Sequence, residues 1–369
     1  MIIYASYVED EAIKQIKDIC EREFLKNEKI RIMPDVHAGN EIVIGFTSTI
    51  SSDWAVPMWI GVDIGCGVIS YPIGKIEDID FKNFDQQVRR SIPSGMEINK
   101  HFDEDRCKDA YSKITKNSMY GFIEDINELI LRLKLPFRSK HYVAQSIGTL
   151  GGGNHFIALN KNKEDEIFIT IHSGSRNFGL KIANHYQKLV GEKGYLSGDL
   201  FHDYFYAMEL AQRYAEFNRI KMMYELLRHF KIDFEKEKLI SSVHNYIDIE
   251  NRIIRKGAIS AQKDEICLIP INMADGVLLC KGKGNPEWNY SAPHGAGRVM
   301  SRTKAKNNLT MEEFKAKMTN VWSSCISQGT LDESPMAYKN LNYLVEAIGE
   351  TVEILDHWKE IYNFKSAEG

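Results

Sequence analysis

An α+β fold with mixed sheets and a helical excursion in mid-chain is predicted by three features of this 369-residue sequence. The first half sets β-branched segments between glycine-rich turns. Residues 202–246 switch to apolar spacing of helical period. No clean alternation of strand and helix appears, so a doubly wound parallel sheet is not indicated.

Taken in order, residues 9–21 read as an amphipathic helix and residues 42–50 as a strand. Residues 68–73 and 167–171 are further strands, rich in valine and isoleucine. Helices are predicted over 105–115 and 122–133. In 202–246 the apolar residues Met208, Ala211, Tyr214, Ala215, Ile220, Met223, Leu226 and Leu227 predict one or two long helices. Short strands follow at 267–271 and 276–280, then helices over 311–325 and 341–360. No repeat, low-complexity tract or Pro/Gly/Ser linker divides the chain.

The composition is that of a globular protein. A net charge of −4 argues against a dedicated, non-specific nucleic-acid binder, which would be basic; contact with RNA must rest on local patches. No apolar run approaches the roughly 20 residues a membrane helix needs. The first ten residues lack the basic start of a signal peptide. Six scattered cysteines point to reduced thiols and a cytoplasmic location.

Six short segments, nearly all of them glycine-rich turns, carry the chemistry. They offer Asp35 and His37 in Met33-Pro-Asp-Val-His-Ala-Gly39, Asp63 and Cys66 in Gly61-Val-Asp-Ile-Gly-Cys-Gly67, and Asn154 and His155 after Gly151-Gly-Gly153. They continue with His172 and Arg176 in Ile171-His-Ser-Gly-Ser-Arg176, His244 in Val243-His-Asn245, and His294 in Ser291-Ala-Pro-His-Gly-Ala-Gly-Arg298. Imidazole, thiolate and carboxylate together suit borderline divalent ions such as Mn²⁺, Zn²⁺ or Fe²⁺. Asp63 and Cys66, three apart across a turn, can share a centre, and Cys66 can bridge two ions. His155, His172 and His244 would complete the site. Singly, each residue has a plainer reading: a cysteine among apolar neighbours is commonly a small buried hydrophobe, and a histidine after a strand is commonly structural. No dinucleotide fingerprint or P-loop is present.

His294 is set apart by small neighbours, which leave room for an adduct, and by Arg298 and Arg302, which suit phosphate oxygens. A histidine so placed can attack an activated phosphate; the plainer alternative is a helix cap. Lys281, Lys283, Trp288 and Tyr290 interleave charge with stacking surface, and Arg252, Arg255 and Lys256 form a second basic cluster.

These segments, in this order from Met33 to Lys365, resemble the RtcB family of tRNA-splicing and RNA-repair ligases. The resemblance implies a single catalytic domain over 1–369, with sheets around a central metal and nucleotide cleft and a mainly helical insertion at about 200–246. It implies two Mn²⁺ ions, one held by Asp63, Cys66 and His155, the other by Cys66, His172 and His244. It implies GTP as co-substrate, His294 as the guanylylated nucleophile, and nucleotide contacts from Asn154, Gly295, Gly297, Asn272 and Lys365. Asp35 matches an acid beside the metals; with Arg176, Lys256 and Arg298 it is grouped at the RNA phosphates. The partner implied is RNA, a broken tRNA or another structured RNA, with an activating helper protein left open and no membrane. The reaction implied joins a 3′-phosphate or 2′,3′-cyclic phosphate end to a 5′-hydroxyl end. A nucleotidyltransferase that caps ends without sealing them, and a non-catalytic metal-stabilised RNA-binding protein, are the alternatives.

The sequence departs from the family pattern at three places. Ala158 stands where the family has an acid that reads guanine, Asn272 stands in place of a serine, and Pro293 precedes the nucleophile where cysteine is frequent. The relatively short chain suggests a compact bacterial branch.

Overall fold

The computed structural model describes residues 1–139 and 141–366. In chain order the strands are β1 (Ile2–Ile3), β2 (Ile30–His37), β3 (Ile44–Thr49), β4 (Trp54–Ala55), β5 (Gly67–Lys75), β6 (Phe156–Lys161), β7 (Glu166–Ser173) and β8 (Leu196–Ser197). They continue with β9 (Ile240–Val243), β10 (Asn245–Asp248), β11 (Ile253–Lys256), β12 (Ala258–Ser260), β13 (Ile266–Pro270), β14 (Val277–Gly282), β15 (Ser291–Pro293) and β16 (Val352–Phe364). A five-stranded sheet runs β1-β2-β3-β11-β10, and a seven-stranded sheet runs β13-β14-β16-β6-β7-β5-β9. The Leu268 N–H donates to Ser242 Oγ at 2.9 Å, so the two outer strands of the larger sheet approach each other and the sheet curls. The architecture is α+β, as predicted.

Six of the described helices start at side-chain caps. Asp80, Asp103, Ser118, Ser301, Thr310 and Asn340 each accept a backbone N–H of the following first turn. The 31-residue helix Asp199–His229 exposes one stripe in its first half (His202, Tyr206, Glu209, Arg213, Glu216) and is buried almost all round over 217–227. Its first half (Met208, Ala211, Tyr214) packs into a core shared with β2, β3 and the helices Asp10–Cys20 and Met119–Arg132. Its second half (Ile220, Met223, Leu226) covers Ile69, Ile157 and Ile171 of the larger sheet. The helix thus holds the two cores together.

Most predicted elements fall within a few residues of those observed, and three are corrected. The helical reading of 202–246 overruns: the helix ends at His229, and β9 and β10 follow. Val68 and Ile69 pair with Ser242 and Ser241, so β9 gains a ladder that helical geometry would forfeit. The helix predicted at 311–325 stops at Lys317. Only Leu341–Ile348 of 341–360 is helical, and Val352–Phe364 forms the longest strand. β16 is paired on one side with β14 and on the other with β6. Tertiary pairing of its Val, Ile, Trp and Tyr residues decides its state.

Candidate metal and nucleotide site

The strand order β6-β7-β5-β9 explains how distant turns meet. These neighbours are antiparallel, so the starts of β6 and β5 and the ends of β7 and β9 share one edge, with Gly67 opposite both Ser173 and Val243 and Phe156 opposite His172. His155, His172, Cys66 and His244 lie at that edge. The Cys66 Sγ is 3.3 Å from His172 Nε2 and 3.5 Å from His155 Nε2. His172 Nε2 is 3.4 Å from His244 Nε2, and His155 Nε2 is 2.9 Å from Asp63 Oδ2. The donor atoms form two triads sharing the thiol, Asp63–Cys66–His155 and Cys66–His172–His244, each within 4.8 Å of one another.

Two further features fit a metal-holding role. The Nδ1 atoms of His155 and His172 are anchored on the carbonyls of Leu150 (2.9 Å) and Asn154 (3.2 Å), which turns both Nε2 atoms toward the thiol. Burial and neighbouring imidazoles hold His172 and His244 far below the ordinary histidine pKa, leaving neutral rings with lone pairs to donate. Burial pushes the Cys66 thiol up, with Asp63 adding to the effect. For Asp63 burial acts upward, but hydrogen bonding and charge from His155 hold the carboxyl below the usual range. A cluster of converging donors this dry is costly without a cation, and the mixed imidazole, thiol and carboxylate set could hold a divalent metal ion.

The long helix supplies the frame. Asn218 Oδ1 accepts the N–H groups of Gly148 (2.8 Å) and Thr149 (3.0 Å), while its Nδ2 donates to the carbonyls of Thr149 and Gly174. The fully buried Arg219 donates from one Nη1 to the carbonyls of Gly65 (2.7 Å) and Ser173 (2.8 Å). Those carbonyls adjoin Cys66 and His172. Neither residue was singled out in the sequence; polar residues between Phe217 and Ile220, at buried helical positions, were the available signal.

His294 follows β15 and faces the same cleft. Its ring centroid is 4.8 Å from that of His244. Its Nδ1 lies 2.7 Å from Asp35 Oδ2, and its Nε2 has no hydrogen-bond partner among the described residues. Gly297 sits at φ +76°, and a Cβ there would stand 2.2 Å from the Asp35 carbonyl oxygen, so only glycine lets the loop lie against Asp35. His37 lines the cleft too, and burial holds it down to about 4.

The cleft has a volume of about 700 Å³ and runs from His37 and Lys256 past His294 to Asn154, Asn272 and Lys365. Gly295, Gly297 and Arg298 also line it. The Lys365 Nζ donates to Asn154 O (3.3 Å) and Glu333 Oε2 (2.8 Å). Burial works against the Glu333 charge, yet Lys365, Arg302 and Arg298 hold its carboxyl down to about 2. Burial lowers Lys256 to about 8 against the pull of Asp63 and Cys66, and its Nζ donates to Ile60 O.

Besides Lys256 and Lys365, three further residues grouped as ligand contacts are engaged with the protein itself, and Asp35, grouped at the RNA phosphates, is instead fully buried against His294. Arg298 donates to Met300 O, Asp332 O and Glu333. Arg176 donates to Thr149 Oγ1 and Gly95 O, and its guanidinium lies over Gly151, where a Cβ would come within 1.9 Å of Nη1. Asn272 Oδ1 accepts from Ala274 N and Asp275 N, shaping a turn at the cleft wall. Glu333, Glu360 and Asn363, unmarked in the sequence by any glycine-rich context, belong to the cleft lining.

Among the described residues no helix is long and apolar enough to cross a membrane. The family model described as "tRNA-splicing ligase RtcB" matches residues 15–366. The RNA-splicing ligase RtcB of Escherichia coli K12 is 30% identical over 386 residues, covering 94% of this chain and 92% of that protein. The tRNA-splicing ligase RtcB of Pyrobaculum aerophilum is 26% identical, covering 86% and 83%. With the family model spanning nearly all of it and the gapped turns meeting in one cleft, the chain belongs to the RtcB family.

Proposed function

We propose that this protein is an RNA ligase that seals a 3′-phosphate or 2′,3′-cyclic phosphate end to a 5′-hydroxyl end, using GTP and His294. The observation that carries the reading is the position of His294: held by Asp35 at Nδ1 and 4.8 Å, ring to ring, from a histidine of the thiol cluster.

Asp35 fixes the proton on Nδ1 and so presents the Nε2 lone pair to the cleft. Attack by Nε2 on the α-phosphorus of GTP forms an N–P bond and releases pyrophosphate. An RNA 3′-phosphate oxygen then attacks the same phosphorus; the N–P bond breaks, His294 is regenerated, and the RNA end carries GMP through a pyrophosphate link. The 5′-hydroxyl attacks the RNA-side phosphorus, a phosphodiester forms, and GMP leaves. A cyclic phosphate must first be opened by water to the 3′-phosphate.

Asp63, Cys66 and His155 would hold one Mn²⁺ and Cys66, His172 and His244 a second; bound there, the ions supply positive charge against phosphate oxygens. Asn154, Gly295, Gly297 and Lys365 border the nucleotide. Lys256, with one carbonyl partner, and the exposed Lys304 face RNA phosphates. Arg176 and Arg298 act by shaping the walls that they already brace. The domain reading of one catalytic unit over 1–369 goes with this proposal.

The test is incubation with α-labelled GTP and MnCl₂. An acid-labile, alkali-stable protein adduct is expected, absent from His294→Ala. Wild-type protein that stays unlabelled across divalent ions and nucleotides would overturn the reading.

A further inference from the structure

Beyond the phosphate-handling residues, the inner end of the cleft holds a polar group that no step above uses. Glu360 on β16 is 5% exposed and lines the cleft. Its Oε1 accepts from Asn363 Nδ2 at 2.6 Å, and its Oε2 accepts from Asn160 Nδ2. Both amides thus point their donors at the carboxyl, leaving Asn160 Oδ1 and Asn363 Oδ1 buried and without a partner among the described residues. Asn363 also lines the cleft. Unpaired buried acceptors are costly unless a ligand or water supplies donors.

The strand register explains the placement. Asn363 pairs with Ala158, and Glu360 pairs with Asn160 across an irregularity between Glu360 and Tyr362. Ala158 and Asn160 project from the same face of β6, so Asn160 and Asn363 bracket the Glu360 carboxyl on one face of the sheet. Phe156, two residues before Ala158, presents a ring with Lys365 Nζ 5.6 Å from its centroid. The end of the cleft is therefore one aromatic face beside a set of acceptors, with His294 in the same cleft.

We propose that Glu360 and Asn363 form the nucleobase-reading subsite of this protein, recognising a purine that presents adjacent ring N–H and amino donors, as guanine does. This rests on the nucleotide-dependent ligase reading above. A carboxyl here accepts two parallel N–H groups from guanine N1 and the 2-amino group; adenine offers an acceptor at N1 and is rejected. Burial pushes the Glu360 carboxyl up to about 8 against the pull of both amides and Lys365, so the anion needs further donors to be comfortable. The reading carboxylate thus reaches the base from β16, across the ladder from Ala158 on β6.

The test is calorimetric titration of the full chain with MnCl₂ and α,β-methylene analogues of GTP, ITP and ATP, which cannot transfer the nucleotide. Wild type should bind the guanine analogue at least about 30-fold more tightly than the adenine analogue, and the hypoxanthine analogue about tenfold more weakly than guanine. Glu360→Gln, nearly isosteric, should narrow the guanine-to-adenine ratio below about threefold mainly through lost guanine affinity. Asn363→Ser should narrow it in the same sense and serves if the glutamine variant fails to fold. An unchanged ratio in the folded variants, or a wild type that prefers adenine, would overturn the proposal. Adduct formation from labelled GTP with an unchanged ratio sinks only the base reading; no adduct and no binding of any analogue sinks the ligase reading with it.

Discussion

Asp35 Oδ2 lies 2.7 Å from His294 Nδ1 and also accepts the His294 backbone N–H at 3.2 Å, so one fully buried carboxylate fixes both the ring and the main chain of that histidine. The second oxygen of Asp35 has no partner among the described residues, which leaves the pair's geometry to this contact alone.

Asp35→Asn should keep the fold and slow guanylylation by roughly 10²-fold or more, because an amide can stabilise the wrong tautomer. Rapid-quench labelling at saturating GTP reads the rate. A rate within about threefold of wild type would show that Asp35 does not orient the nucleophile.

Cys66 belongs to both donor triads, whereas His155 and His244 belong to one each. Cys66→Ala should therefore remove both bound Mn²⁺ ions, while His155→Ala and His244→Ala each remove one. Metal counted after gel filtration in micromolar MnCl₂ gives the stoichiometry. Retention of two ions by Cys66→Ala would refute the shared-thiol arrangement.

Asn218→Ala should cost at least about 3 kcal/mol, since it leaves the N–H groups of Gly148 and Thr149 and two carbonyls unsatisfied in a dry interior. The loss is read by urea denaturation. Because the tethered loops carry His155 and His172, Mn²⁺ affinity should fall as well; a stability loss under 1 kcal/mol would contradict the tethering role.

Glu360 predicts a pH dependence of stability. Its carboxyl is raised from 4.5 to about 8, so the folded state keeps a proton that the unfolded chain releases. The resulting stabilisation is complete below about pH 4.5 and drains away as pH rises through 8. At about 1.4 kcal/mol per unit this amounts to roughly 5 kcal/mol by pH 9. Denaturation of nucleotide-free protein should show wild type losing ground to Glu360→Gln between pH 5 and 9; parallel curves would reject the shift.

Most donors of the site are legible because Asp63, Cys66, His155, His172 and His294 sit in glycine-rich turns, a context that hydrophobic periodicity does not explain, while His244 in Val243-His-Asn245 has no such mark. Their meeting was not legible residue by residue, since it depends on the order β6-β7-β5-β9 and on ladder register. Charge type misled in one respect: Arg176 and Arg298 look like phosphate binders in one dimension, but their partners Thr149, Gly95, Asp332 and Glu333 come from far along the chain. Asn218 and Arg219 carry no mark in the sequence because a helical reading assigns polar residues to a solvated face, whereas the part of the helix over 217–227 is buried almost all round. The helical expectation over 341–360 extends too far because residues 341–348 are helical and the pairing that makes 352–364 a strand is supplied by β14 and β6.

The central place of β16 has a consequence for biogenesis. The hairpin β13–β14 and the group β6-β7-β5-β9 leave the ribosome before the strand that lies between them, so β6 and β14 each offer an unpaired apolar edge until residues 352–364 emerge. Nascent chains halted short of Val352 should therefore be clients for chaperones and prone to coaggregate, and the cleft that Glu360 and Asn363 line is complete only once this strand has been made.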